Sequence, residues 1–170
     1  MKRLVIKVGT AVLTQDGQLA IERMENLVDL IAKLKNEKKL EVILVSSGAV
    51  GAGYTTLKLD KKIIANKQAL AAIGQPLLLK HYKKRFKEHN ISCAQMLFIA
   101  DDFDSRKRTK NAQDVMEILL ENKILPIINE NDVIANYELL FGDNDQLAAH
   151  VAFHFKADML AILSDIDGYY

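Results

Sequence analysis

Five apolar runs, RLVIKVG, EVILVSSG, ISCAQMLFI, ILPIIN and DMLAILSD, are spread along a chain of 170 residues. None of them alternates apolar with polar residues. A strand of that kind is buried on both faces, and doubly covered sheets are built from parallel strands joined by helical crossovers. The residues between the runs can supply those crossovers. Ile21, Met24, Leu27, Val28, Ile31 and Leu34 recur at the spacing of one helix face, which predicts a helix over residues 20–38. AVGAGYTTL, residues 61–88, AQDVMEILLENK and DQLAAHVAFHFK also read as helical. Gly74 and Pro76 mark a break or a fresh start within residues 61–88. Asn111 is the expected cap of the AQDVMEILLENK helix. VIANYELLF reads as a hairpin or a small excursion. The expected fold is one α/β domain, a three-layer α/β/α sandwich with a mainly parallel central sheet.

Charge and cysteine usage exclude several classes of function. The net charge is +1, so the chain as a whole does not attract polyanions, and no nucleic-acid partner is expected. The densest basic run, DSRKRTKN (residues 104–111), reads as a solvated loop before a helix. Cys93 is the only cysteine, which rules out an intrachain disulfide and a cysteine-based zinc site. Its apolar surroundings mark it as a core residue rather than a nucleophile. The N-terminal MKRLVIKVGTAVLT is interrupted by Lys7 and does not read as a signal peptide. No apolar run reaches the length of a membrane span. The expectation is a cytoplasmic protein with no membrane partner.

Ligands in open α/β sheets bind beyond the carboxyl ends of the strands. Four such ends carry polar residues. The first presents Lys7, Gly9 and Thr10: a lysine inside an apolar strand is costly unless an anion meets it, and glycine lets backbone N–H groups approach a phosphate. The second presents SSGAVGAG, which matches neither the dinucleotide fingerprint nor a P-loop but makes a natural anion cradle at a helix start. The fourth opens INENDVIANYELLFGDND, with two polar knots, Asn129–Asp132 and Gly142–Asp145. These knots can hold magnesium, bind an ammonium group and position a lysine, or serve as turns. The fifth ends in Ser164 and Asp165. His150 and His154 are four apart on a helix but lack an HExxH arrangement, so they read as structural or surface residues.

The blocks VIKVGTAVLT, VILVSSGAVGAG, KQALAAIGQPLL, AQMLF, NAQDV, LPIINENDVIA, FGDNDQLAA and ADMLAILSDIDGYY resemble the amino acid kinase family, and within it the glutamate 5-kinases. The resemblance covers the whole chain, and the paired knots are its most specific part. It implies that residues 1–170 are the N-terminal, amino-acid-binding part of an amino acid kinase domain. It implies ATP-dependent phosphorylation of the side-chain carboxylate of L-glutamate to L-glutamyl 5-phosphate, the first step towards proline, with ATP and Mg2+ as cofactors. Lys7 would neutralise charge on the transferring group, and Asp145 would hold Lys7. Ser47, Asp132 and Asn144 would bind glutamate. Lys7, Gly9, Thr10, Ser164 and Asp165 would contact ATP, with no protein metal site. Tyr137 and Phe141 would belong to a flap over the glutamate pocket.

The resemblance also implies proline as a feedback inhibitor, a glutamyl phosphate reductase as a partner, and a homo-oligomer. Two features depart from the family. Ser164 stands where the family has threonine, and a glycine-rich GGM-x-TK-like segment with a second catalytic lysine is missing. The expectation is therefore a truncated chain with little kinase activity of its own. The alternatives are a related kinase acting on another carboxylate and a non-catalytic glutamate- or proline-binding module.

Overall fold

The computed structural model describes residues 2–16, 18–135 and 144–164. Five strands form one sheet: β1 (Arg3–Val8), β4 (Glu41–Ser46), β5 (Cys93–Phe98), β6 (Leu125–Glu130) and β7 (Met159–Leu163). Their order is β5-β6-β4-β1-β7, and every neighbouring pair is parallel. Side chains alternate between the two faces of a strand. Leu4, Ile6, Val8, Val42 and Leu44 therefore join one buried cluster with the helices α2 (Ile21–Asn36) and α4 (Ile64–Glu88). Val5, Ile43, Val45 and Ile128 join a second cluster with α6 (Arg106–Glu121) and α7 (Asp145–His154). These are the three layers expected from the apolar runs.

The strand order explains which helices lie on which face. From β1 the chain steps through α2 to β4, then through α3 (Ala49–Thr56) and α4 to the edge strand β5. It then reverses, through α5 (Ala100–Asp104) and α6 to β6, and through α7 to β7. Parallel crossovers are right-handed, so reversing direction along the sheet moves the helices to its other face. The neighbouring strands β4 and β6 thus send the chain to opposite faces, and the topological switch lies between their carboxyl ends. Among the described residues no helix is long and apolar enough to cross a membrane.

Three local expectations differ from what is observed. Residues Ile64–Glu88 form one helix with Pro76 inside it, not two pieces. Pro76 and Ala72, whose carbonyl loses its partner, both lie on the exposed side, where water can satisfy the carbonyl. Gly74 faces α3 rather than breaking the helix: a Cβ there would lie 1.7 Å from the Ala49 carbonyl oxygen. The run DSRKRTKN is not a loop, because Arg106–Asn111 are the first turns of α6. Ser105, not Asn111, is the cap, its Oγ accepting from the Arg108 N–H at 3.4 Å. Serine is a strong cap, and Lys and Arg are good helix formers, which outweighs the unfavourable placing of cations at a helix start. The structure also contains α1 (Thr10–Leu13), a hairpin of β2 (Thr14–Gln15) and β3 (Gln18–Leu19), and α5, which apolar periodicity does not reveal because each is too short to show a period.

Candidate functional site

Lys7 is 3% exposed in the middle of the sheet. It shares the face of Val5, and that face is covered by α7. Its ammonium meets the carboxylate of Asp145, the first residue of α7, at 2.6 Å. The pairing thus follows from strand alternation plus the placing of one helix start. A carboxylate there is also favoured by the helix dipole. At the other end of the same strand, buried Arg3 reaches Glu41 at 2.9 Å and Glu117 at 2.8 Å, so both cations in β1 are matched by acids. Next to Lys7, Gly9 donates its N–H to the Leu163 carbonyl at 3.2 Å, tying the end of β1 to the end of β7. A Cβ on Gly9 would stand 3.3 Å from Lys7 Nζ, so glycine keeps the approach to that ammonium open.

A cleft of about 330 Å³ opens at these strand ends. Thr10, Ser47, Asp132 and Asn144 line it, together with Lys61, Lys67, Asn129 and Glu130. Gly48 enters α3 at φ +105°, in the left-handed region that favours glycine. The residues of the first turn of α3, Ala49, Val50 and Gly51, form one wall. The leading N–H groups of a helix lack intrahelical partners and suit an anion. Gly53 acts elsewhere. A Cβ there would lie 1.9 Å from the Leu70 carbonyl oxygen, so this glycine serves the contact between α3 and α4.

Asn144 sits at φ 70° just before α7 and is 6% exposed. Its Nδ2 donates to Ser47 Oγ at 3.0 Å and to Asn129 Oδ1 at 2.8 Å. Both amide hydrogens are thereby used, which leaves Oδ1 as an acceptor. Ser47 accepts from Asn144, which leaves its O–H to donate. The sequence allowed Asn144 to face either a carboxylate or an ammonium group; the network leaves it an acceptor oxygen, which suits a donor rather than a carboxylate. Asp132 stands on the same cleft. Burial pushes its carboxyl above the ordinary 3.8, while the charge of Lys67 pulls the other way.

The sign of the Asp132 effect can be tested. An acid with a raised folded pKa is stabilised by its proton, so the fold loses stability as pH rises from 3.8 through the raised value. An ammonium ligand needs the charged form. Affinity for an amino acid should therefore fall as pH drops through the raised value, and Asp132→Asn should bind about tenfold more weakly, without that pH dependence. Calorimetric titration across the acid range checks this; a wild-type affinity that stays level there removes Asp132 from the site.

Of the residues singled out in the sequence, Lys7, Gly9, Thr10, Ser47, Asp132, Asn144 and Asp145 come together at this end of the sheet. Ser164 is exposed just beyond β7, next to the residue that accepts from Gly9. Asp165, Gly142, Asp143 and the expected flap with Tyr137 and Phe141 lie outside the described residues. Among the described residues no three His, Cys, Asp or Glu side chains converge on a metal-sized site. His150 and His154 stack on Phe103, with ring centroids at 5.0 and 5.2 Å, in keeping with a structural place. Cys93 packs against the core, and burial pushes its thiol up to about 12, which leaves no thiolate at neutral pH.

The sequence alone assigned no individual role to Lys61, Lys67, Gln75 or Asn129. Lys61 lies 3.9 Å over the Tyr54 ring and Lys58 at 4.1 Å, so one aromatic ring organises the basic rim. Only Asn129 carried a usable signal, as a member of the first polar knot.

A sequence model of the amino acid kinase family matches residues 2–170. The chain is 56% identical over its full length to "Glutamate 5-kinase" of Leishmania donovani, covering 64% of that protein. It is 58% identical to the protein of the same name from Wolinella succinogenes, covering all of this chain and 66% of the relative. It is 49% identical to "Glutamate 5-kinase 2" of Bacillus subtilis, covering all of this chain and 46% of the relative. The chain thus spans between about half and two thirds of the length of these curated relatives.

Proposed function

The chain belongs to the amino acid kinase family, and from that premise we propose that its cleft holds L-glutamate for phosphorylation of the side-chain carboxylate by ATP. The observation that carries this reading is the pairing of buried Lys7 with Asp145 at 2.6 Å beside a cleft that offers separate groups to an ammonium and to a carboxylate. Asp132 and Asn144 Oδ1 receive the ammonium. Ser47 O–H and the first turn of α3 receive a carboxylate.

The chemical difficulty is that two anions must meet. Two unit charges 4 Å apart repel by about 4 kcal/mol at an effective dielectric of about 20. Lys7 offsets that repulsion, and Asp145 holds its ammonium in place so that no reorganisation is needed as charge develops. The Gly9 N–H is taken by the Leu163 carbonyl, so the backbone donor expected of Gly9 is not available. Thr10, at the start of α1, offers its N–H to a phosphate oxygen, and the open space over Gly9 lets the phosphate approach. ATP supplies the phosphoryl group. Magnesium would enter with the ATP phosphates.

The chain spans 64% of the length of the Leishmania donovani relative, and the turnover is assigned to the whole protein. Proline would compete in the same cleft, since its ammonium and carboxylate match the same groups. The acyl phosphate product is labile and calls for a reductase that consumes it. A cytoplasmic homo-oligomer completes the reading.

Calorimetric titration of L-glutamate into this chain tests the reading. Glutamate should bind, and aspartate, one methylene shorter, should bind about tenfold or more weakly. Acetylglutamate, whose amine is capped, and carbamate should bind more weakly still. Equal affinity for aspartate, or no heat with glutamate, overturns the assignment.

A further inference from the structure

Asn129 is 3% exposed and bonds to three other polar groups. Its Oδ1 accepts from the backbone N–H of Glu130 at 2.9 Å and from Asn144 Nδ2 at 2.8 Å. Its Nδ2 donates to Gln75 Oε1 at 2.8 Å. Gln75 in turn donates from Nε2 to Gln95 Oε1 at 3.4 Å.

A backbone N–H can only donate. The Glu130 N–H therefore compels Asn129 to turn its oxygen that way, and its amide nitrogen must point at Gln75. Turning Asn129 over would set its NH2 against two donors and forfeit both bonds. Asn144 must likewise present its nitrogen to Asn129 and Ser47, and its oxygen is left for the ligand. The polarity of the cleft is thus set by a directed chain of amides. One end is fixed by the backbone of β6. The other end is closed by Gln75, which stands on α4 and does not line the cleft. Gln75 is held at its height by its neighbour Gly74, whose backbone lies against Ala49 at the start of α3.

We propose that Gln75 is a positioning residue for substrate recognition: its Oε1 locks the orientation of Asn129, and through it the carbonyl of Asn144 that receives the substrate ammonium. The assignment of the ammonium rests on the proposed function above; the locking of the amide chain does not. With only a donor at position 75, the buried Asn129 amide regains a partner on that side by turning, at the cost of its bond from the Glu130 N–H, and the balance that holds its orientation weakens; a turned Asn129 would let Asn144 turn with it. The ammonium would then meet an NH2 group in place of a carbonyl. The cost falls on discrimination between ligands with and without an amino group, which a residue that merely supports the fold would not change.

The experiment compares Gln75→Glu, which keeps an acceptor facing Asn129, with Gln75→Lys, which keeps the length but offers donors only. L-glutamate and glutarate, its analogue without the amino group, are titrated into each protein. Gln75→Lys should bind L-glutamate at least about tenfold more weakly and lose most of the preference over glutarate, while Gln75→Glu should stay within about threefold with its preference intact. Hydrogen exchange of the Asn129 and Asn144 side-chain amides, followed by NMR without ligand, reads the chain directly. Exchange should be slow in wild type and Gln75→Glu and at least about tenfold faster in Gln75→Lys. Should Gln75→Lys fail to fold, Gln75→Met removes the acceptor without adding charge and carries the same comparison. Unchanged amide exchange, or a preserved preference for glutamate over glutarate, overturns the proposal. A wild-type chain that binds no glutamate overturns the functional reading instead, and the exchange measurement still decides the role of Gln75.

Discussion

Gly74→Ala should lower stability by about 3 kcal/mol, a fall in melting temperature of roughly 6–12 °C for a chain of this size. Alanine is the better helix former, by up to about 1 kcal/mol, so propensity alone points to stabilisation. Sterics decide against it. The new Cβ would lie 1.7 Å from the Ala49 carbonyl oxygen and 2.4 Å from the Gly53 nitrogen. Both are backbone atoms of α3 and cannot swing aside, so the two helices must part. Parting them exposes the apolar surface between them and moves the first turn of α3, which walls the cleft. Thermal unfolding and glutamate titration on the same variant should show both losses together. A melting temperature equal to or above wild type would mean that α3 and α4 are not in backbone contact.

Asp145→Ala should reduce phosphoryl transfer at least about a thousandfold in a turnover-competent form of the protein, while the affinity for L-glutamate stays within about threefold. Asp145 does not line the cleft, so substrate binding does not depend on it directly. Its role is to hold Lys7, which is 3% exposed. Removing one partner of a fully buried pair costs about 3–5 kcal/mol of stability. The Asp145 side chain is 42% exposed, so water screens part of the pair and the loss should fall below that range. Asp145→Asn, which keeps a hydrogen-bond acceptor without the charge, should fold nearly as well and turn over almost as poorly. Equal losses in turnover and in glutamate affinity would contradict a role confined to Lys7.

Much of this architecture was legible from short-range pattern. The apolar runs announced buried strands, which holds for β1, β4 and β6, while the edge strands β5 and β7 are only partly covered because each has a neighbour on one side alone. Lys7 stood out as a cation inside one of the buried strands. The glycines of SSGAVGAG were legible as special, but not in their division of labour. Gly48 serves a positive φ, whereas Gly53 serves a helix contact. Pro76 misled for a physical reason: its cost depends on whether the carbonyl it orphans can reach water, which the sequence does not tell. DSRKRTKN misled because a charged surface helix and a charged loop have the same composition, and only the Ser105 cap separates them.

The candidate site divides in the same way. The two polar knots were legible as an excess of side chains that turns alone do not need. The work of Asn129 and Gln75 was not, because a single amide carries no sign of which end will be used. By itself the sequence determined the covered parallel sheet and the end of it where polar groups gather, since strand and helix periodicity act over a few residues. Tertiary structure alone decided the strand order that brings Asn144 to Ser47, 97 positions away, and the backbone N–H of Glu130 that orients the amides between them. Hydrogen-bond direction is settled where donors and acceptors from distant segments meet, and that meeting exists only in the folded chain.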